Sequence, residues 1–185
     1  MITQRELYET LRRDLIVHRD RVAAAVRPLN GAQLNEHPEP KGWSIAEVLE
    51  HLCITDEMYD APFAVIMRES RPDAGAAARE WKPSFLGGLI VGALKKPRPV
   101  SAPKAFQPGP TIRSGLVDVL LGREAAALEL VDTAAALDWR AIRLRSPVLP
   151  AWAPKLNLGD AFRIHVVHLG RHAGQIERVA GKLTA

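Results

Sequence analysis

Three of the chain's six histidines fall within eight positions, in the stretch HVVHLGRHAGQ at 165–175. They are His165, His168 and His172. Residues three and four apart on an α-helix share a face, so a helix here carries its imidazoles on one side. His168 and His172, four apart, have the spacing of two side chains that grip one metal ion from a single helix. His165 lies one turn earlier, and its role is open between a ligand, a partner of a ligand and a boundary residue. A third ligand from another helix would complete a facial set, and His51 is the candidate. Neutral imidazole suits zinc, nickel, copper and iron. Three protein ligands with positions left for water make a catalytic arrangement, whereas structural zinc usually takes four. A metal held this way acidifies a bound water or presents a thiolate as nucleophile. The plainer alternative is a set of hydrogen-bonded boundary histidines, and His18 and His37, which stand apart, are read so. Because protonated imidazole cannot coordinate, an all-histidine site is expected to lose metal below about pH 6 to 6.5.

Four amphipathic segments must position these residues. TQRE at 3–6 reads as a capping box, with Thr3 as N-cap and Glu6 reaching back. Leu7, Leu11, Leu15, Val22 and Val26 then form an apolar stripe that Pro28 and Asn30-Gly31 end. Ser44 and Glu47 start a second helix in the same way. It carries His51 about two turns in and meets Pro62, which should kink or break it. A third helix is expected from about Thr111 to Leu137. A fourth starts with Asn157 as N-cap and Asp160 three residues on, and runs to Gly181. Residues 71–110, rich in Pro, Gly, Ala and Lys, form a long connection with a short helix around 84–94 and then an extended basic arm. This pattern reads as an all-α antiparallel four-helix bundle with a long loop between helices two and three.

Composition narrows the function. The 185 residues suffice for one domain with a full core. Alanine and leucine are plentiful and β-branched runs are few, which favours helix. Cys53 is the only cysteine, so no intrachain disulfide or thiolate zinc cluster can form. The longest apolar run, FLGGLIVGAL at 85–94, has ten residues, and a membrane span needs about 20. With a charged start and no signal sequence, the chain is expected to be cytoplasmic. Net charge is +4, and KKPRPVSAPK at 95–104 carries four basic residues and no acidic ones. This arm reads as a solvated surface. Nucleic-acid binding would need interleaved aromatics, and only Phe106 is near.

Two stretches resemble a known family. GWSIAEVLEHL at 42–52 is similar to the second-helix signature of the DinB/YfiT-like superfamily, here with Trp43, Ser44, Glu47 and His51. LNLGDAFRIHVVHLGRHAGQIERV at 156–179 is similar to its fourth helix, with His168, His172 and Gln175 in a His-x-x-x-His-x-x-Gln pattern. The linker LNGAQLNEHPEPKGWS is also similar, and the likeness spans roughly residues 5–181. The resemblance implies a single DinB-like domain over residues 1–185, a four-helix bundle of up-down-down-up connectivity, and a homodimer. It also implies His51, His168 and His172 as ligands of a divalent metal, commonly zinc or nickel. His165 is not in the family's minimal triad.

Activities among such relatives are diverse. Some are S-transferases or isomerases using a low-molecular-weight thiol such as bacillithiol or mycothiol, others resemble metal-dependent hydrolases, and many have no known activity. The leading expectation is therefore a metal-dependent enzyme, a thiol S-transferase or hydrolase acting on a small molecule. His165, Gln175 and Glu47 are candidates to orient ligands from behind, although Glu47 is better placed to cap its helix. The alternative is a non-catalytic metal-binding or stress-response protein with a vestigial or structural site.

Overall fold

Helix starts are built by side chains that satisfy the free N–H groups of the first turn. In the computed structural model, which describes residues 2–39, 42–96, 102–147 and 149–184, the three boxes named above form. Thr3 and Glu6 cap α1 (Gln4–Val26), Ser44 and Glu47 cap α3 (Ile45–Glu69), and Asn157 and Asp160 cap α6 (Leu158–Leu183). Asn30 caps a short α2 (Gly31–Asn35), with Gln33 completing a fourth box inside the segment expected to be a plain connector. Helix α4 (Phe85–Leu94) lies in the long connection, as expected. The arm that follows falls partly outside the described residues, at 97–101.

Helix α5 is shorter than its expected span. It covers Leu116–Ala134, after Gly115 at φ 67°. That left-handed backbone favours glycine and cannot continue into a right-handed helix, so residues 111–114 stay outside. At the far end Gln4 accounts for the early stop. Its Nε2 donates to the carbonyls of Leu137 (2.8 Å) and Ala135 (3.2 Å), and its Oε1 accepts from Trp139 N at 2.8 Å. Pro62 leaves α3 unbroken. Tyr59 and Phe63 pack on the core and Ile66 is buried, so tertiary packing on both sides carries the helix through it.

The chain is mostly helical. Helix α1 packs against α5 and α6, and α3 packs against the same two. Leu15, Leu49, Leu52, Leu120, Leu169 and Ile176 are all but fully buried between them. Among the described residues there are two short strand pairs, Ile2–Thr3 antiparallel to Glu80–Trp81 and Arg143–Leu144 antiparallel to Leu156–Asn157. The α1–α6 contact is close at Gly170, where a Cβ would come within 2.4 Å of His18 Nε2. His18 is thus a packing residue of that seam. His37 Nδ1 lies 2.9 Å from the Gly42 carbonyl, which ties the linker together. Among the described residues, no helix is long and apolar enough to cross a membrane.

Candidate metal centre

His51 belongs to α3, and His168 and His172 to α6, two helices that pack together. Their rings converge. His51 Nε2 and His172 Nε2 each lie 3.1 Å from His168 Nε2, and one nitrogen from each ring falls within 4.8 Å of the others. Metal–imidazole bonds of about 2.0–2.1 Å would set neighbouring nitrogens about 2.9–3.4 Å apart, so the observed spacing fits a common ion.

The far nitrogens decide which way the lone pairs point. His51 Nδ1 is 2.7 Å from the Phe106 carbonyl, which can only accept, so Nδ1 carries the hydrogen and Nε2 is bare. His172 Nδ1 meets Gln175 Oε1 at 2.9 Å and is set the same way. Two lone pairs therefore face His168 Nε2, and one proton there cannot satisfy both. A cation among the three nitrogens would. Carbonyl and amide oxygens behind ligand imidazoles are the usual means of fixing ring orientation.

Burial keeps the three rings neutral. His172, 7% exposed, has its pKa pushed down to about 3, chiefly by burial and then by the neighbouring His51. His168 is held well below the ordinary value by burial and by His172 and His51. His51, 4% exposed, is lowered by burial, with the Phe106 carbonyl acting the other way. Neutral imidazole is the form that coordinates, so the trio is ready for a metal at ordinary pH. Trp43 covers one side of His51, with ring centres 5.1 Å apart.

The trio lines a cavity of about 1970 Å³, along with Tyr59, Lys95 and Lys96. The cluster could hold a metal ion, and among the described residues it offers three ligands. Gln175 stands behind His172 as described. Glu47 is taken up elsewhere: its Oε2 accepts from Ser44 N at 2.8 Å and lies 3.6 Å from His37 Nε2. His165 faces carboxylates, with Nδ1 3.2 Å from Asp56 Oδ1 and Nε2 3.0 Å from Glu124 Oε2.

Asp56 and Glu124 were not singled out from sequence, yet they carry a signal. Glu124 replaces an apolar residue in the α5 stripe Leu116, Leu120, Ala127, Val131, and Asp56 does so in the α3 stripe Leu49, Leu52, Tyr59, Phe63. A carboxylate at a core-facing helical position needs a buried partner.

No curated protein and no solved structure matches the chain. The match to the DinB superfamily runs over residues 14–176 and takes in all three converging histidines, so the chain belongs to that superfamily.

Proposed function

We propose that His51, His168 and His172 hold one divalent metal ion, zinc or nickel, and that the protein is a metal-dependent enzyme acting on a small molecule. The observation that carries this reading is the convergence of three bare or shareable Nε2 atoms, those of His51 and His172 each 3.1 Å from that of His168, on the wall of an open cavity. A set of three ligands leaves positions for water or substrate, which a closed four-ligand structural site does not. When bound, the ion supplies Lewis acidity and lowers the pKa of a coordinated water or thiol.

The chain's own residues do the rest. Phe106, through its carbonyl, and Gln175 keep His51 and His172 in the coordinating tautomer. Lys95 and Lys96 give the cavity a positive margin suited to an anionic substrate. Burial of the trio lowers the local dielectric, which strengthens any charge interaction formed there. The reaction class we favour is transfer to or from a low-molecular-weight thiol, with hydrolysis second. The same reading takes residues 1–185 as a single domain, a four-helix bundle of up-down-down-up connectivity, found in the cytoplasm as a homodimer, with no nucleic acid or membrane as partner.

The test is metal content of protein purified without a histidine tag, followed by turnover. About one equivalent at the trio, lost in His168→Ala, with thiol consumption against an electrophile or ester hydrolysis that follows the metal, supports the enzyme. Metal bound tightly with neither reaction detected would put the non-catalytic metal-binding protein in its place.

A further inference from the structure

About one helical turn from the trio, α3, α5 and α6 bring a second set of ligand-type side chains together. His165 sits between Asp56 and Glu124 at 3.2 Å and 3.0 Å. One ligand atom from each of the three lies within 4.8 Å of the others. The Glu124 side chain is 1% exposed and that of Asp56 12%. Each carboxylate also keeps one buried oxygen with no hydrogen-bond partner among the described residues, Asp56 Oδ2 and Glu124 Oε1. A carboxylate oxygen taken out of water and given nothing in return is a strong sign that a ligand belongs beside it.

We propose that Asp56, Glu124 and His165 form a second divalent-cation site, distinct from the three-histidine cluster. Its donors are two carboxylates and one imidazole, a harder set than three imidazoles. It therefore suits Mn²⁺ or Fe²⁺ as well as Zn²⁺. A cation among these groups takes one oxygen from each carboxylate together with a ring nitrogen of the histidine. Without a cation, His165 itself stands in for one. Burial acts against its charge, but Glu124 and Asp56 outweigh burial and raise its pKa well above the ordinary value. Binding exchanges one positive group for another: a ring N–H bond breaks, the proton leaves to solvent, and the freed lone pair forms the bond to the metal. Arg123, the other cation close by, gives its Nη2 to Asp60 Oδ1 at 2.8 Å, and its charge also acts on Asp56.

Position supports an independent site. His165 precedes His168 by three residues and Asp56 follows His51 by five. At 1.5 Å per residue the two sets are about 5–8 Å apart along the helices. That exceeds the roughly 3.5–4 Å at which two ions share a bridging oxygen, so two separate binding equivalents are expected. Asp56 and His165 line the same cavity as the trio, which gives a cation a route in.

The test is equilibrium dialysis of metal-stripped, full-length protein against Zn²⁺ and, separately, Mn²⁺, with bound metal counted by mass spectrometry and Mn²⁺ also followed by electron paramagnetic resonance. Wild type should take two equivalents of Zn²⁺, and Asp56→Asn and Glu124→Gln one each. His168→Ala should still bind one Mn²⁺, with release of about one proton at a pH where His165 is protonated, and His168→Ala/Asp56→Asn should bind none. Glu124 is deeply buried, so Glu124→Gln counts only if its circular dichroism and melting match wild type; the less buried Asp56→Asn decides otherwise. A single equivalent in wild type, unchanged in Asp56→Asn, overturns the second site and leaves an ion-paired histidine. If Asp56→Asn loses one equivalent while His168→Ala loses none, the second site stands and the three-histidine centre fails.

Discussion

The Phe106 carbonyl lies 2.7 Å from His51 Nδ1, and the opposite nitrogen of that ring points at His168 from 3.1 Å. A turn in the long connection thus sets the protonation of a histidine on α3. On the proposed reading His51, His168 and His172 each give one lone pair to the ion, so replacing any of them with alanine should weaken zinc binding by at least about 100-fold, more than the loss of a partner behind a ligand costs. His37→Ala should leave it unchanged, since His37 bonds within the linker. Competition with a chromogenic chelator measures both. Equal losses in His37→Ala and His51→Ala would contradict the assignment.

Gln175 separates orientation from coordination. Its Oε1 holds His172 Nδ1 at 2.9 Å without reaching the shared centre. Gln175→Ala should therefore retain the metal but bind it about 10–100-fold more weakly. Titration calorimetry with zinc would show this as a weaker affinity at unchanged stoichiometry.

Acid and base should act on the metal-stripped fold in opposite senses. The trio is neutral when folded, with His172 near 3 and His168 and His51 lowered, burial leading in each case. The unfolded chain protonates the same groups near 6.5. From about pH 6.5 down to 3 the unfolded state binds more protons, so stability falls as pH falls. His165 has the reverse sign. Its folded pKa is raised by Glu124 and Asp56 against the cost of burial. Its contribution is complete below about 6.5 and is lost as pH rises through the raised value. Melting temperature should peak near pH 6.5, and His165→Gln should flatten the alkaline side. A wild-type melting temperature that climbs steadily to pH 9 would refute this. With the trio's pKa values lowered, a metal held as proposed should be retained below the pH 6 to 6.5 expected of ordinary histidines, which dialysis at about pH 5.5 tests.

Gly87 is required by contact rather than by dihedral. A Cβ there would fall 2.2 Å from the Asp160 carboxylate, which already accepts from Ser84 N at 2.9 Å and caps α6. Gly87→Ala should cost about 1–3 kcal/mol and lower the melting temperature by several degrees. Gly88, one position on, faces open space, so Gly88→Ala should be neutral or mildly stabilising. Thermal melts of the pair test the contact directly.

Much of this was legible in the sequence because it is local. A capping box spans four residues, and the His168–His172 pair spans one helical turn, so Thr3, Ser44, Asn157 and the paired imidazoles could be placed before any packing was known. What stayed hidden depends on distant parts of the chain. The end of α5 is set by Gln4, 131 residues from its Ala135 partner in sequence. The oxygen behind His51 comes from a backbone carbonyl, which no side-chain pattern reveals. Asp56 and Glu124 differ, since their intrusion into apolar stripes was visible, but only the crossing of three helices shows that His165 stands between them.

Helix α4 is fastened to α6 at both ends. Asp160 accepts from Ser84 N at its start, and Arg171 Nη1 donates to the Leu94 carbonyl (2.9 Å) and the Lys96 carbonyl (2.8 Å) at its finish. It behaves as a splint along the helix that carries His168 and His172. This part of the cavity wall is thereby tied at two points to the helix that carries two of the three imidazoles.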